Sequence, residues 1–184
     1  MKNFIYRILI CFFLLPEASA GEWNIYPDGN DVVELAQDGD YLWFACYTCL
    51  VRYNRIDGTH RFYTLRDYGD GFGFNVAGVA PDGAKWFGAS NGKLLRHDGF
   101  EWSVYDHAAK LTSQSGSKIT SIVFDRDGSA WFGTKNGVVR FDGLSWKRFG
   151  ASEGFTDGEI LAAVIDCTGN LWFGSSEGLF RFNG

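Results

Sequence analysis

The sequence predicts an all-β fold built from four copies of one four-stranded antiparallel unit. Three observations carry that expectation. The dipeptide Trp-Phe recurs as Trp43-Phe44, Trp86-Phe87, Trp131-Phe132 and Trp172-Phe173, at spacings of 43, 45 and 41 residues. The composition places seven Trp, eight Tyr and seventeen Phe beside 24 Gly and only 3 Pro. Aromatic side chains suit pleated, half-buried surfaces, and glycine suits tight turns. Beyond residue 20 the apolar residues show no 3.6-residue period, which argues against helices.

The third copy shows the unit most clearly. Ile119 to Phe124 is an apolar strand, followed by the turn Asp125-Arg126-Asp127-Gly128. Ala130 to Thr134 is the second strand, and Asn136-Gly137 is a strong two-residue hairpin signal. Val138 to Phe141 is the third strand, Asp142-Gly143 turns the chain again, and Ser145 to Phe149 is the fourth. The second copy runs from Val76 to Tyr105 and the fourth from Ile160 to Gly184. The first copy, from Val32 onward, is the most divergent and carries Phe62 in place of a fourth-strand Trp. Sheets that repeat every 40–45 residues are the blades of a β-propeller.

The fourth copy lacks its fourth strand. Glu22-Trp23-Asn24-Ile25-Tyr26, ahead of the first copy, matches Glu101-Trp102-Ser103-Val104-Tyr105 and offers the missing one. The expectation is a β-propeller of four four-stranded antiparallel blades, closed by this N-terminal strand pairing with Leu179 to Phe182. Covering that edge removes a template for aggregation. One chain closing on itself satisfies this, and so does a homodimer whose two chains exchange strands in an eight-bladed ring. The seven tryptophans are expected to pack between blades.

Residues 1–20 read as a signal peptide, and 21–184 as the propeller domain. Lys2 and Arg7 give a basic start, Ile8 to Leu15 a short apolar core, and Ala18-Ser19-Ala20 a small-residue cleavage site before Gly21. The apolar run is too short to cross a bilayer, which takes about 20 residues. A periplasmic or secreted location follows, with no transmembrane segment after cleavage. The formal net charge is −5 and no basic run occurs, which excludes nucleic acid as the expected partner. Export permits disulfides. Cys46 and Cys49 flank a two-residue turn and form the candidate disulfide, and a redox role would need a helix N-terminus that is not predicted here.

The stretch Asp-Arg-Asp-Gly-Ser-Ala-Trp-Phe-Gly-Thr-Lys-Asn-Gly-Val-Val-Arg-Phe-Asp-Gly (125–143) resembles the two-component-regulator propeller repeat. The resemblance extends over nearly all of residues 21–184. It implies a sensor-type module of the kind found in periplasmic regions of hybrid histidine kinases and in stand-alone exported proteins. It further implies recognition of carbohydrate or a related small molecule, with a signalling protein as a candidate partner. The Asp-Gly-x-x-Trp-Phe pattern also resembles propeller lyases, so an enzyme is the alternative, and half of a larger assembled propeller is another.

Candidate chemistry is sparse, and no enzymatic activity is expected. Asp125-x-Asp127-Gly128 lacks the further ligands of a calcium loop and reads as a turn. Arg52, Arg96, Arg140 and Arg181 recur once per blade and are expected to pair with turn aspartates or stack on Trp. The three histidines share no metal-ligand spacing, so neither metal nor cofactor is expected. What remains is the loops between blades, where binding residues sit on a rigid scaffold. Tyr68, Phe72, Phe74, Asn75 and His107 are the candidate ligand-binding residues, because aromatic faces beside a carboxamide suit sugars.

Overall fold

The structure is a computed structural model, and it describes residues 31–64, 73–106 and 118–183. The first sheet consists of β1 (Val32–Asp38), β2 (Tyr41–Cys46), β3 (Cys49–Asn54) and β4 (His60–Thr64). The second contains β5 (Phe74–Val79), β6 (Lys85–Ala89), β7 (Leu94–His97) and β8 (Trp102–Tyr105). The third contains β9 (Ile119–Phe124), β10 (Ala130–Thr134), β11 (Gly137–Phe141) and β12 (Trp146–Phe149). The fourth has three strands among the described residues, β13 (Ile160–Ile165), β14 (Leu171–Ser175) and β15 (Gly178–Phe182). Every sheet is an antiparallel meander in chain order. A single-turn 3-10 helix, Ala151–Glu153, precedes β13.

The registers show how strictly the unit repeats. Trp43 faces Arg52, Trp86 faces Arg96, Trp131 faces Arg140 and Trp172 faces Arg181 across the second and third strands. Each first strand carries a bulge just after its first residue. The turns between first and second strands use a glycine at positive φ, for example Gly83 (+81°), Gly128 (+83°) and Gly169 (+94°). A residue with a Cβ is strained in that region, so the Asp-Gly signals in the sequence have a backbone cause.

The sheets stack face to face. β1 packs beside β5, β5 beside β9, and β9 beside β13. Between the first two sheets, Trp43, Ala45, Leu50 and Tyr63 meet Phe74, Phe87, Ala89 and Leu95. Between the second and third, Val76, Trp86 and Leu94 meet Ile119, Phe132 and Val139. Between the third and fourth, Val123, Trp131 and Val138 meet Ile160, Leu171 and Phe173. The expected role of the second-strand tryptophans as inter-blade packing therefore holds for Trp43, Trp86 and Trp131, all buried.

Four blades are present, and closure is not seen among the described residues. No comparable packing joins β13 to β1. The strand expected to complete the fourth sheet, Glu22 to Tyr26, lies outside the described residues, as do the leader and its cleavage site.

The glycine after Trp-Phe is where this stacking is tightest. A Cβ on Gly88 would stand 2.5 Å from Ile119 Cγ2 and 2.6 Å from Val76 Cγ1. Replacing Gly88 with Ala should therefore force the second and third blades apart and lower stability by about 1–3 kcal/mol, the usual cost of overpacking. Urea unfolding of the variant beside the unaltered protein measures it, and equal midpoints would contradict the packing described.

Candidate functional site

The groups with most chemical potential are committed to the blades themselves. Asp125 accepts from the backbone N–H of Asp127 at 3.1 Å and Ser129 at 2.8 Å, and from the Trp131 indole Nε1 at 2.8 Å. Asp166 does the same for Thr168, Asn170 and Trp172 Nε1, each at 2.9 Å. The turn aspartate thus folds its own loop and anchors the tryptophan six residues on, which leaves the Asp125 loop a turn rather than a calcium site. Among the described residues, no three His, Cys, Asp or Glu side chains gather as metal ligands.

The arginines behave as the sequence suggested. Arg96, Arg140 and Arg181 lie over Trp86, Trp131 and Trp172 at 6.0, 5.4 and 5.8 Å from the ring centroids. Arg96 also pairs with Asp82 at 3.1 Å, and Arg140 donates to Ser129 Oγ at 2.9 Å. The first blade departs from this pattern. Its turn is one residue shorter, Asp38 pairs with Lys85 at 2.5 Å, and Arg52 lies over Tyr41 at 4.7 Å. The Trp43 indole N–H is consequently left without a partner among the described residues.

Tyr68, Phe72 and His107 lie outside the described residues. Phe74 does not face a ligand mouth. It is 1% exposed and meets Phe87 edge-on at 6.1 Å in the core between the first two blades. The reason is its register: Phe74 pairs with Ala89 as the first residue of β5, the position at which Ile119 and Ile160 are also buried. Asn75 is the bulged residue that follows. It falls outside the alternation that seats Phe74 and Val76 between blades, and its Nδ2 is buried with no partner among the described residues.

Thr120 holds the same bulge position on β9, one residue after Ile119, and its Oγ1 is also buried and unpartnered. Bulges re-aim side chains and cluster near functional sites. Aligning the inner strands on Phe74 and Ile119 would have picked out Thr120 from the sequence. The equivalent residues of the outer two blades are Val33 and Leu161. Two polar positions on adjacent blades are thus flanked by two apolar ones.

The remaining candidates are structural. Phe155, in the loop before β13, packs against Phe173 at 5.6 Å and Phe180 at 4.7 Å. That loop is tied down by Thr156 to Glu177 and Arg148 to Asp157. His97 is buried against Trp102 at 4.6 Å, and burial lowers its pKa, followed by the charge of Lys85. Cys46 and Cys49 are free thiols in hydrogen-bonding contact, and burial, then Cys49, pushes the Cys46 thiol up to about 12. Two segments spell Gly-x-Ser-x-Gly: 88–92, around Ser90, and 174–178, around Ser176. Both are hairpin turns between antiparallel strands, not the strand-to-helix elbow that exposes a nucleophile. Ser90 Oγ accepts from the Gly73 N–H at 3.2 Å.

Two depressions mark the surface of the described residues. One, of about 450 Å³, lies among the far ends of β5, β9 and β13 and is lined by Val79, Pro81, Ile122, Phe124 and Ile165. It offers apolar surface with no side-chain hydrogen-bonding group. The other, of about 290 Å³, lies between the second and third blades around Asp82, Arg96, Tyr105 and Asp142. Its charges are already paired or bonded to backbone.

Residues 113–136 match the family model described as two component regulator propeller. The resemblance of the repeat to that family is borne out there. No curated protein matches the sequence. Among solved structures, the extracellular domain of a hybrid two component system from B. thetaiotaomicron superposes with a TM-score of 0.72 at 20% identity, over 89% of this chain and 24% of that one. A catalytically inactive His-to-Ala variant of virginiamycin B lyase from Staphylococcus aureus, with quinupristin, gives 0.67 at 17% identity, over 89% and 59%. The computationally designed Ika4 protein gives 0.65 at 14% identity, over 88% and 98%. These likenesses show the fold. This chain spans about a quarter of the B. thetaiotaomicron domain. Among the described residues no helix is long and apolar enough to cross a membrane.

The turn carboxylates make acid stability a readout of the repeat. Asp142 accepts from Ser145 N–H at 2.7 Å and Leu144 N–H at 2.9 Å, which holds its pKa down at about 2 against an ordinary 3.8. Asp166 is held lower still, first by Thr168 and then by Trp172 and Asn170. Groups with lowered pKa values contribute stability that is complete above the ordinary value and lost as pH falls through the folded one. The melting temperature should hold down to about pH 4.5 and fall between about pH 4 and 2. The Asp166→Asn variant should show a shallower fall, and an identical profile would contradict this role.

Proposed function

We propose that this chain is an exported, sensor-type propeller module that binds a small hydrogen-bonding ligand, a carbohydrate or a related molecule, and catalyses no reaction. The observation that carries the reading is the pair Asn75 and Thr120, bulged residues at one register position of adjacent inner strands, each with a buried polar atom left unpartnered among the described residues. Leaving a buried polar group unsatisfied costs about 1–3 kcal/mol. Both residues are half-buried, so a rotation of either side chain would bring its unpartnered group to a ligand outside the chain. Sugar hydroxyls both donate and accept, which suits an amide N–H beside a threonine hydroxyl.

The match to the two-component-regulator propeller model and the likeness to a two-component extracellular domain support the sensor-type reading. Periplasmic or secreted placement goes with it, on the leader-like residues 1–20. Tyr68 and Phe72, in the segment just before β5, are the proposed stacking faces, and His107 the proposed polar contact from the next inter-blade segment. A signalling protein is the proposed downstream partner. Binding is favoured over lyase-type catalysis because His97 is in the core and the turn aspartates are occupied by their own loops.

A thermal-shift screen of the exported protein against a glycan and metabolite panel, followed by calorimetry on the best hit, tests the reading. Asn75→Ala and Thr120→Val should each weaken binding about tenfold or more, equivalent to about 1.4 kcal/mol, with the melting temperature unchanged or slightly raised. Full affinity in both variants would place the ligand elsewhere. A panel in which no sugar raises the melting temperature would overturn the carbohydrate class.

A further inference from the structure

Two of the three interfaces among the described blades share one lock; at the first, Ala45 stands where the glycine does in the others. On the leading face of the second and third blades, the glycine after Trp-Phe leaves a slot, and the first inner-strand residue of the next blade fills it. Gly88 receives Ile119, and Gly133 receives Ile160. Side chains around the slot are sealed: in the third blade, Val123 is 9% and Val138 1% exposed.

The fourth blade presents the same lock with nothing in it. Nothing among the described residues lies within 4 Å of a Cβ placed on Gly174. Val164 and Leu179 hold the registers of Val123 and Val138, facing Trp172 and Gly174 as those face Trp131 and Gly133. They are 58% and 69% exposed. The first blade presents the matching key. Val32, paired with Cys46, stands where Phe74, Ile119 and Ile160 stand, yet is 41% exposed, and Leu35 behind it is 52% exposed. The first and fourth blades therefore present two complementary halves of an interface that the described residues make twice, at Gly88 and Gly133.

We infer that the free face of the fourth blade docks on the free face of the first blade of a second copy, so that two chains close one eight-bladed ring. Within one chain these faces stay apart, since no packing comparable to the other blade pairs joins β13 to β1. Two copies are the smallest assembly that fills both locks, and a head-to-tail contact related by a half-turn closes without leaving a free end. Eight blades lie within the usual range for propellers.

The occupied interface buries four apolar side chains at each of two junctions, and its disruption is the test. Light scattering on the exported protein over a concentration series should give twice the protomer mass. Leu179→Glu combined with Val164→Glu should give the monomer mass and raise the dimer dissociation constant by about 100-fold or more. Leu144→Glu, at a turn residue that is 96% exposed and away from either face, should stay dimeric. As a second measurement that needs no destabilising charge, Val32→Cys with Gly174→Cys, in a background with Cys46→Ala, Cys49→Ser and Cys167→Ser, should form a crosslinked dimer on oxidation, while each single replacement should not. A monomer mass for the unaltered protein, a crosslink within one chain, or open-ended oligomers would each overturn the two-chain ring.

Discussion

Every blade-to-blade contact depends on how one tryptophan is held. In the second, third and fourth blades the second-strand Trp lies under the arginine opposite it on the third strand, and in the third and fourth its indole N–H is fixed by the aspartate that opens the preceding turn. Held this way the ring is a flat wall, and the glycine two residues later opens a slot beside it for the next blade's first residue. An aromatic wall beside a cleft without a Cβ is a shape that an isoleucine fills closely. The period of the sequence is the length of chain needed to rebuild that wall and slot once per blade.

This arrangement also consumes the chain's charged chemistry. Asp125, Asp142 and Asp166 each accept two or more turn hydrogen bonds, and Arg96 and Arg140 are engaged by Asp82 and Ser129. Carboxylates satisfied by backbone N–H groups are poor metal ligands and poor bases, because protonation or coordination must first break those bonds. The first blade shows the consequence of changing one part. Its shorter turn sends Asp38 to Lys85, and Trp43 keeps its place through packing alone, against Tyr63, Phe87, His97 and Trp102.

Function is therefore left to positions that the packing does not claim. The inner-strand bulges are such positions, because the extra residue has no seat between blades. Polar residues occur there in the two central blades and apolar ones in the flanking blades. The two open faces are the other unclaimed surface, and in a two-chain ring they are removed from solvent while the bulges of both copies come to share one axis.

The sequence by itself determined the blade: its four copies, the strands of each, the turns between them, and the pairing of arginine with tryptophan or aspartate. These follow from two-residue alternation and from turn chemistry, which act within a few residues or across one hairpin. Tertiary structure alone decided which residue of an inner strand is core and which is bulged. Phe74 looked like a loop aromatic beside Phe72, and Thr120 looked like an ordinary strand residue, until the neighbouring blade set the register and left Asn75 and Thr120 outside it. Exposure at the two ends was decided the same way. Val138 and Leu179 are equivalent in sequence, and one is buried and the other bare because the fourth blade covers the first and nothing among the described residues covers the second.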